Sequence, residues 1–216
     1  MTAAGPRLVL ATHNRHKLVE LREILAPVVP GLAPEDVVGA ADVGAEPPVE
    51  DGVTFAENAL IKARALARAT GVVALADDSG LCVDVLGGAP GVFSARWSGS
   101  HGDDHANLAL LLAQLEDVPD EHRGAQFTCA AALVAPDGYE HVEVGVLRGR
   151  LARVARGRNG FGYDPVLVPD EQPAWATGPV TCAELSPQEK NAISHRGHAF
   201  RSLAPVVARV LASASG

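Results

Sequence analysis

The chain has 216 residues, 47% of them hydrophobic, which suits one folded domain with a substantial core. Its 26 acidic side chains against 18 Lys and Arg give a formal charge of −8, which argues against a nucleic-acid partner bound through a basic face but leaves room for a basic pocket holding a small anion. Cys82, Cys129 and Cys182 are odd in number and fit no metal spacing, no signal-peptide core opens the chain, and the apolar runs fall far short of a membrane span, so a reduced, cytoplasmic protein without a membrane partner is expected.

RLVLA (residues 7–11) is an apolar run that stops at Thr12-His13-Asn14, and the stretch after it places Leu18, Leu21, Ile24 and Leu25 on one helical face. Pro27 and Pro30 end that helix, and the passage from Gly39 to Gly52, rich in Pro, Gly and acids, reads as a loop. Thr54 and Glu57 have the spacing of a capping box, so a helix is expected from there to Gly71, with Asn58 and Lys62 four apart on one face. VVALA (72–76) reads as a buried strand delivering Asp77 and Asp78 to its C-terminal end, and residues 87–99, GGAPGVFSARWSG, as a rigid loop. Asp103 or Asp104 caps a helix burying Leu108, Leu111, Leu112 and Leu115. Residues 126–135, 141–152 and 165–169 have β character, with Pro136-Asp137-Gly138 as a hairpin turn, so the second half should hold a partly antiparallel sheet. Ser186 and Glu189 form a second capping box, with Pro187 at the first helical position. The sequence around Ser194 interrupts or restarts that helix, and Pro205 is expected to kink or divide the terminal one.

Several constellations have the makings of a site. Thr12, His13, Asn14, Arg15, His16 and Lys17 lie between a strand and a helix, where hydroxyl, amide and ammonium converge with helical N–H groups on an anion; a capped helix with a solvated lysine fits the same residues. Asp77 and Asp78 follow a buried strand, where a carboxylate can hold Mg²⁺ beside a phosphate, while an Asp-Ser-Gly turn is the competing interpretation. Alternation along the strand sends at most one of the two acids to a given face. In Asn159-Gly160-Phe161-Gly162-Tyr163-Asp164-Pro165 two glycines leave the Phe161 ring open, which suits a planar base with a carboxylate at its edge; a β-bulge with one core aromatic is the alternative. Lys190, Ser194, His195 and Arg196 are donors at helix ends, able to read a purine carbonyl or simply to be solvated. Glu50 and Asp51 offer a second carboxylate for a metal or an acidic first turn, and His101, His105, His122 and His141 have no partner at ligand spacing.

Taken together and in order, ATHNRHK, TFAENALIKA, ADDSGLCVDVLGGAPGVFSARWSG, GRNGFGYDPV and AELSPQEKNAISHRG resemble the Ham1/RdgB-type inosine/xanthosine triphosphate pyrophosphatases, over residues 11–197. The resemblance implies an α/β fold, an elongated mixed sheet flanked by helices in two lobes around a nucleotide cleft, formed by the single domain 1–216 and assembled as a homodimer. It implies Mg²⁺-dependent hydrolysis of ITP, dITP and XTP to the monophosphate and pyrophosphate. Matched to its motifs, Thr12 to Lys17 meet the phosphates, Asp78 is metal ligand and general base, and Ser79 touches the substrate; beside these, Lys62 can join Lys17 in offsetting phosphate charge and Glu50 can offer the metal a second carboxylate. Phe161, Gly162, Tyr163, Asp164, Lys190, His195 and Arg196 match the nucleoside positions. His16, Pro205 and the lead-in WATGPVTCAEL depart from the pattern. A Maf-like pyrophosphatase for modified or pyrimidine nucleotides and a non-catalytic nucleotide-binding regulator are the rival functions; the FGYDP and SHR segments and the presence of Asp78 favour the purine enzyme.

Overall fold

A computed structural model describes residues 5–12 and 15–213, with the backbone alone at Arg15, His16, Lys17 and Glu20. Six strands form one sheet in the order β2-β1-β3-β4-β5-β6: β1 (Leu8–Leu10), β2 (Val37–Gly39), β3 (Val73–Val83), β4 (Gly124–Val134), β5 (Glu140–Leu151) and β6 (Leu167–Pro169). The helices are α1 (Arg15–Leu25), α2 (Phe55–Thr70), α3 (Asp104–Gln114), α4 (Pro187–Ile193) and α5 (His195–Ser213). β1 runs parallel to β2 and β3, whereas β6 is antiparallel to β5, so the sheet is mixed, as the resemblance implies.

The chain divides into two compact units, Met1–Asp78 with Cys129–Gly145 and Arg196–Gly216, and Ser79–Thr128 with Val146–His195. In the first, strand alternation sorts the apolar residues into two layers. Leu8 and Leu10 of β1, Val73 and Leu75 of β3, and Cys129, Ala131 and Leu133 of β4 pack with Leu21 and Leu25 of α1 and Phe200 and Leu203 of α5. Val9, Ala74, Ala76, Ala130 and Ala132, the intervening positions, pack instead with Ala59, Ala63 and Leu66 of α2. The small residues on this second face let α2 lie close to the sheet.

The second unit has one core, built from Leu81 and Val83 of β3, Leu111 of α3, Phe127 of β4, Leu147 and Leu151 of β5, and Tyr163. Arg123 is 2% exposed within it. Its guanidinium donates to the carbonyls of Leu115 at 2.6 Å, Leu151 at 3.0 Å and Ala152 at 3.2 Å, tying the end of α3 to the end of β5.

Both capping boxes form. Thr54 accepts from the Glu57 N–H at 3.1 Å while Glu57 accepts from the Thr54 N–H at 3.0 Å, and Gly71 closes α2. Ser186 and Glu189 do the same for α4, and α5 restarts one residue after the Ser194 cap. Three expectations change. β3 does not end at the aspartates but runs on to Val83, because Leu81 and Val83 are fully buried and pull the segment into the second core. Residues 87–99 are not merely a loop: Gly91–Arg96 form a 3-10 helix in which the Ser94 hydroxyl accepts from the Leu81 N–H at 2.9 Å and donates to the Gly91 carbonyl at 2.6 Å. Pro205 does not divide α5, since its neighbours Leu203, Ala204, Val206 and Val207 are all buried and hold the helix through it.

Candidate functional site

Asp77 and Asp78 lie in mid-strand, and the two-layer packing decides where each carboxylate goes. Asp78 has the parity of Ala74 and Ala76, the face covered by α2. There its Oδ2 accepts from the Asn58 amide at 3.2 Å and its Oδ1 faces the Lys62 ammonium at 3.3 Å. Lys62 also donates to Glu50 at 3.0 Å, so one ammonium gathers two carboxylates. Asp77 has the parity of Val73 and Leu75, the face covered by α5, and its Oδ2 accepts from Arg196 Nε at 3.0 Å.

The electrostatics of this centre set opposed forces against each other. Burial pushes the Asp78 carboxyl above its ordinary range and the Glu50 charge adds to this; the Lys62 ammonium and the Asn58 amide pull it back without cancelling the rise. For Lys62, burial favours loss of the proton, but attraction by Asp78, Glu50 and Asp77 outweighs it and holds the ammonium above its ordinary value. Asp78 therefore binds a proton more readily than a surface aspartate, the property wanted of a base.

In the second unit the Phe161 loop is built around Asp164. That carboxylate is 2% exposed, accepts from the Phe161 N–H at 2.7 Å and pairs with Lys190 at 2.5 Å. Gly160 makes the fold-back possible: its φ is +75°, and a Cβ there would stand 2.1 Å from Asp164 Oδ2. The Phe161 ring is left 62% exposed, with the Lys190 ammonium 5.0 Å from its centroid. The Gly162 N–H donates to Asp104 at 2.9 Å. Tyr163 belongs to the core: its ring is buried, its hydroxyl donates to the Ser94 carbonyl at 2.9 Å, and burial pushes its pKa upward. The irregular lead-in to α4 is anchored where Trp175 Nε1 donates to Glu189 at 2.5 Å and Gln172 bonds the Val180 N–H and carbonyl.

The structure thus joins Glu50, Lys62 and Asp78 in the first unit, and Phe161, Asp164 and Lys190 in the second. His195 is buried in the second unit, stacked on Phe127 with centroids 5.0 Å apart. Thr12 is buried at the end of β1, with its N–H on the Leu10 carbonyl at 2.7 Å, and Ser79 is half-buried. His13 and Asn14 lie outside the described residues, as do the side chains of Arg15, His16 and Lys17. Asn58 was not among the expected site residues, and of the two aspartates the resemblance gives a role to Asp78 alone. The spacing of Asn58 with Lys62 signals a shared face, yet nothing in sequence marks it as a partner of Asp78.

Among the described residues no group of three or more His, Cys, Asp or Glu side chains is gathered for a metal. Glu50 and Asp78, two hard oxygen donors brought to one ammonium, suit an ion that takes one or two carboxylates and completes its shell with water and phosphate oxygens. No helix in the described residues is long and apolar enough to cross a membrane.

A mixed sheet that holds a half-buried acid–lysine centre in the middle of its third strand, between α2 and α5, places the chain among the α/β proteins. More narrowly, the family model described as the Ham1 family matches residues 8–206, and the chain belongs to that family. It is 64% identical over 206 residues to a dITP/XTP pyrophosphatase of Streptomyces avermitilis and 62% identical over 206 residues to one of Streptomyces coelicolor, in each case spanning 95% of this chain and 98% of the relative. Two solved structures agree in fold over nearly the whole chain. A HAM1 protein from Coxiella burnetii superposes with a TM-score of 0.82 at 40% identity, covering 94% of this chain and 99% of that one. A nucleoside-triphosphatase, dITP/XTP pyrophosphatase, from Mycobacterium abscessus does so with 0.75 at 50% identity, covering 93% and 98%.

Proposed function

We propose that this chain hydrolyses ITP, dITP and XTP to the nucleoside monophosphate and pyrophosphate, clearing deaminated purines from the nucleotide pool. The observation that carries the reading is the centre around Asp78, an acid raised in pKa and set beside a lysine shared with Glu50, in a chain of the Ham1 family whose relatives are named dITP/XTP pyrophosphatases.

In this reading Asp78 accepts the proton of the water whose oxygen bonds to the α-phosphorus, as the bond from that phosphorus to the α,β-bridging oxygen breaks and pyrophosphate leaves. A carboxylate has about four lone-pair sites, so the bonds from Lys62 and Asn58 leave Asp78 with acceptor capacity for this step. Lys62 balances phosphate charge, and the Thr12–Lys17 segment holds the outer phosphates. Asp78 and Glu50 would hold Mg²⁺, which when bound offsets charge on the phosphate oxygens.

The purine stacks on the exposed Phe161 ring, with Lys190 and Asp164 at its edge. Hypoxanthine and xanthine present an accepting 6-oxo group where adenine has an amine, so donors from His195 or Arg196 pair with the former and meet a donor in the latter. A site built on polar pairing rejects the mismatched partner strongly. The whole chain acts as one catalytic domain, a homodimer in the cytoplasm.

The test is Mg²⁺-dependent pyrophosphate release from ITP, XTP, dGTP and ATP, with an Asp78→Asn variant alongside. Turnover of ITP and XTP well above dGTP and ATP, lost in the variant, is the expected pattern; equal turnover of all four overturns it.

A further inference from the structure

Asn58 is 2% exposed on the second turn of α2, and both ends of its amide are engaged. Its Oδ1 accepts from the Gly52 N–H at 2.9 Å, and its Nδ2 donates to Asp78 Oδ2 at 3.2 Å. The two partners fix which way the amide points, because a backbone N–H only donates and an ionised carboxylate only accepts. Gly52 closes the contact from the other side. A Cβ at this position would lie 2.6 Å from Asn58 Oδ1, 2.8 Å from Glu57 Cβ and 3.0 Å from the Asn58 nitrogen, so the backbone can come this near only as glycine.

Glu50 sits two residues before Gly52, in a segment with no strand or helix of its own. The neighbours of this segment give it little core anchorage, since Val49 is 82% and Val53 79% exposed. Besides the Lys62–Glu50 pair, its backbone is held to α2 by two consecutive side chains: Glu57, which accepts from the Val53 and Thr54 N–H groups at 2.7 and 3.0 Å, and Asn58, which takes the Gly52 N–H. Of these two, only Asn58 is also bonded to the acid on β3.

We propose that Asn58 is a positioning residue that sets the placement of Glu50 relative to Asp78, using one amide to orient the Asp78 carboxylate and to tether the loop carrying Glu50. The ligand it serves is a divalent cation carried by a triphosphate; the proposal thus rests on the reaction assigned above and adds to it the residue that spaces the two carboxylates. Lys62 draws the same two acids together by charge, but an ammonium on a flexible stem imposes no plane on either. The planar amide fixes the directions of both bonds it makes, to Asp78 and to the Gly52 N–H, which is why the role falls to Asn58.

The experiment uses the full chain and three variants. Asn58→Leu removes both hydrogen bonds. Gly52→Ala disturbs the tether from its far end while leaving Asn58, Asp78 and Glu50 chemically intact, so it serves if Asn58→Leu fails to fold. Leu66→Ala, on the same helix and 4% exposed, lowers stability without touching the tether. Binding of Mn²⁺ in the presence of α,β-methylene-ITP is followed by electron paramagnetic resonance, and kcat and KM for ITP are measured below the melting temperature of every variant. Asn58→Leu and Gly52→Ala should each weaken Mn²⁺ binding and lower kcat by about 10- to 100-fold, the usual effect of losing a group that orients a metal-binding carboxylate, while KM for ITP moves little. Leu66→Ala should melt earlier with Mn²⁺ binding and kcat unchanged. Mn²⁺ binding and kcat like wild type in the tether variants, or an equal loss in Leu66→Ala, overturns the positioning role alone. A wild-type protein with no metal-dependent pyrophosphate release from ITP overturns the reaction, and the role with it.

Discussion

Exchanging each of the two neighbouring aspartates for asparagine should give two different injuries. Asp77 is 5% exposed and bonded to Arg196 Nε at 3.0 Å, so Asp77→Asn leaves a guanidinium facing a neutral amide inside the protein. Removing one partner of a buried pair costs about 3–5 kcal/mol, and because asparagine keeps an accepting oxygen the lower end, about 3 kcal/mol, is expected. At about 2–4 °C per kcal/mol for a chain of this size, the melting temperature should fall by roughly 6–12 °C. Turnover measured well below that midpoint should stay within about tenfold of wild type, the lower bound for a supporting contact.

Asp78→Asn works the other way. Burial makes the ionised carboxylate costly at this position, and the amide removes that cost; against it stands about 1 kcal/mol for the Asn58 donor left facing another donor. Lys62 retains Glu50 at 3.0 Å, so no charge is stranded. The melting temperature should shift by no more than about 4 °C, while kcat for pyrophosphate release from ITP falls by about 10²–10⁴-fold, the contribution expected of a general base. Thermal melts by circular dichroism and a coupled pyrophosphate assay give both numbers. Equal melting shifts in the two variants, or turnover by Asp78→Asn within tenfold of wild type, refutes the division of labour between the faces.

Phe161→Ala should raise KM for ITP by roughly 5- to 150-fold, equivalent to about 1–3 kcal/mol of base stacking, with little change in melting temperature because the ring is largely exposed. Arg123→Met leaves the carbonyls of Leu115, Leu151 and Ala152 without the buried guanidinium; at about 1–3 kcal/mol for each unsatisfied group, a loss of at least 3 kcal/mol is expected in urea titrations. Glu140 accepts two hydrogen bonds from Arg64, which hold its carboxyl below the ordinary carboxylate range. A folded-state value below the unfolded one means the stabilisation is present above the unfolded pKa and is lost as pH falls through the folded one. Glu140→Gln should therefore lower stability at pH 7 by about 0.3–1 kcal/mol, since the pair is partly exposed, and the difference from wild type should shrink as pH falls below the ordinary carboxylate range; thermal melts across that range check it.

What could be read from sequence was what depends on near neighbours. Thr54 with Glu57 and Ser186 with Glu189 are three residues apart, and both caps form as their spacing predicts. The opposite facing of Asp77 and Asp78 was legible too, because a period of two needs no knowledge of the fold. Their partners were not: Asn58 is 20 residues from Asp78, and Arg196 is 119 from Asp77, distances at which only the packed sheet decides who meets whom. Strand length misled for the same reason. Asp, Ser and Gly are poor strand formers, so Asp78-Ser79-Gly80 reads locally as a turn, yet burial of Leu81 and Val83 overrides that preference. Pro205 was expected to kink or divide its helix, and the surrounding core carries the helix through it undivided. The Phe161 loop was legible as a glycine-flanked segment with an open aromatic ring; its closure onto Asp164 and Lys190 needed Gly160 and the fold together.

The mid-strand seat of Asp77 and Asp78 restricts how this gene can drift. Along β3 each residue added or deleted before the acids would turn every later side chain to the opposite face. Asp78 would then confront α5 and Asp77 would confront α2, exchanging both partners in one step without altering either acid. Between Val73 and Asp78 the chain can therefore accept changes of letter but not of length, whereas the turn from Ala135 to Tyr139, which closes on its own backbone bonds, can absorb insertions. Length variation among homologous chains should gather in such turns and spare the strand that carries the two acids.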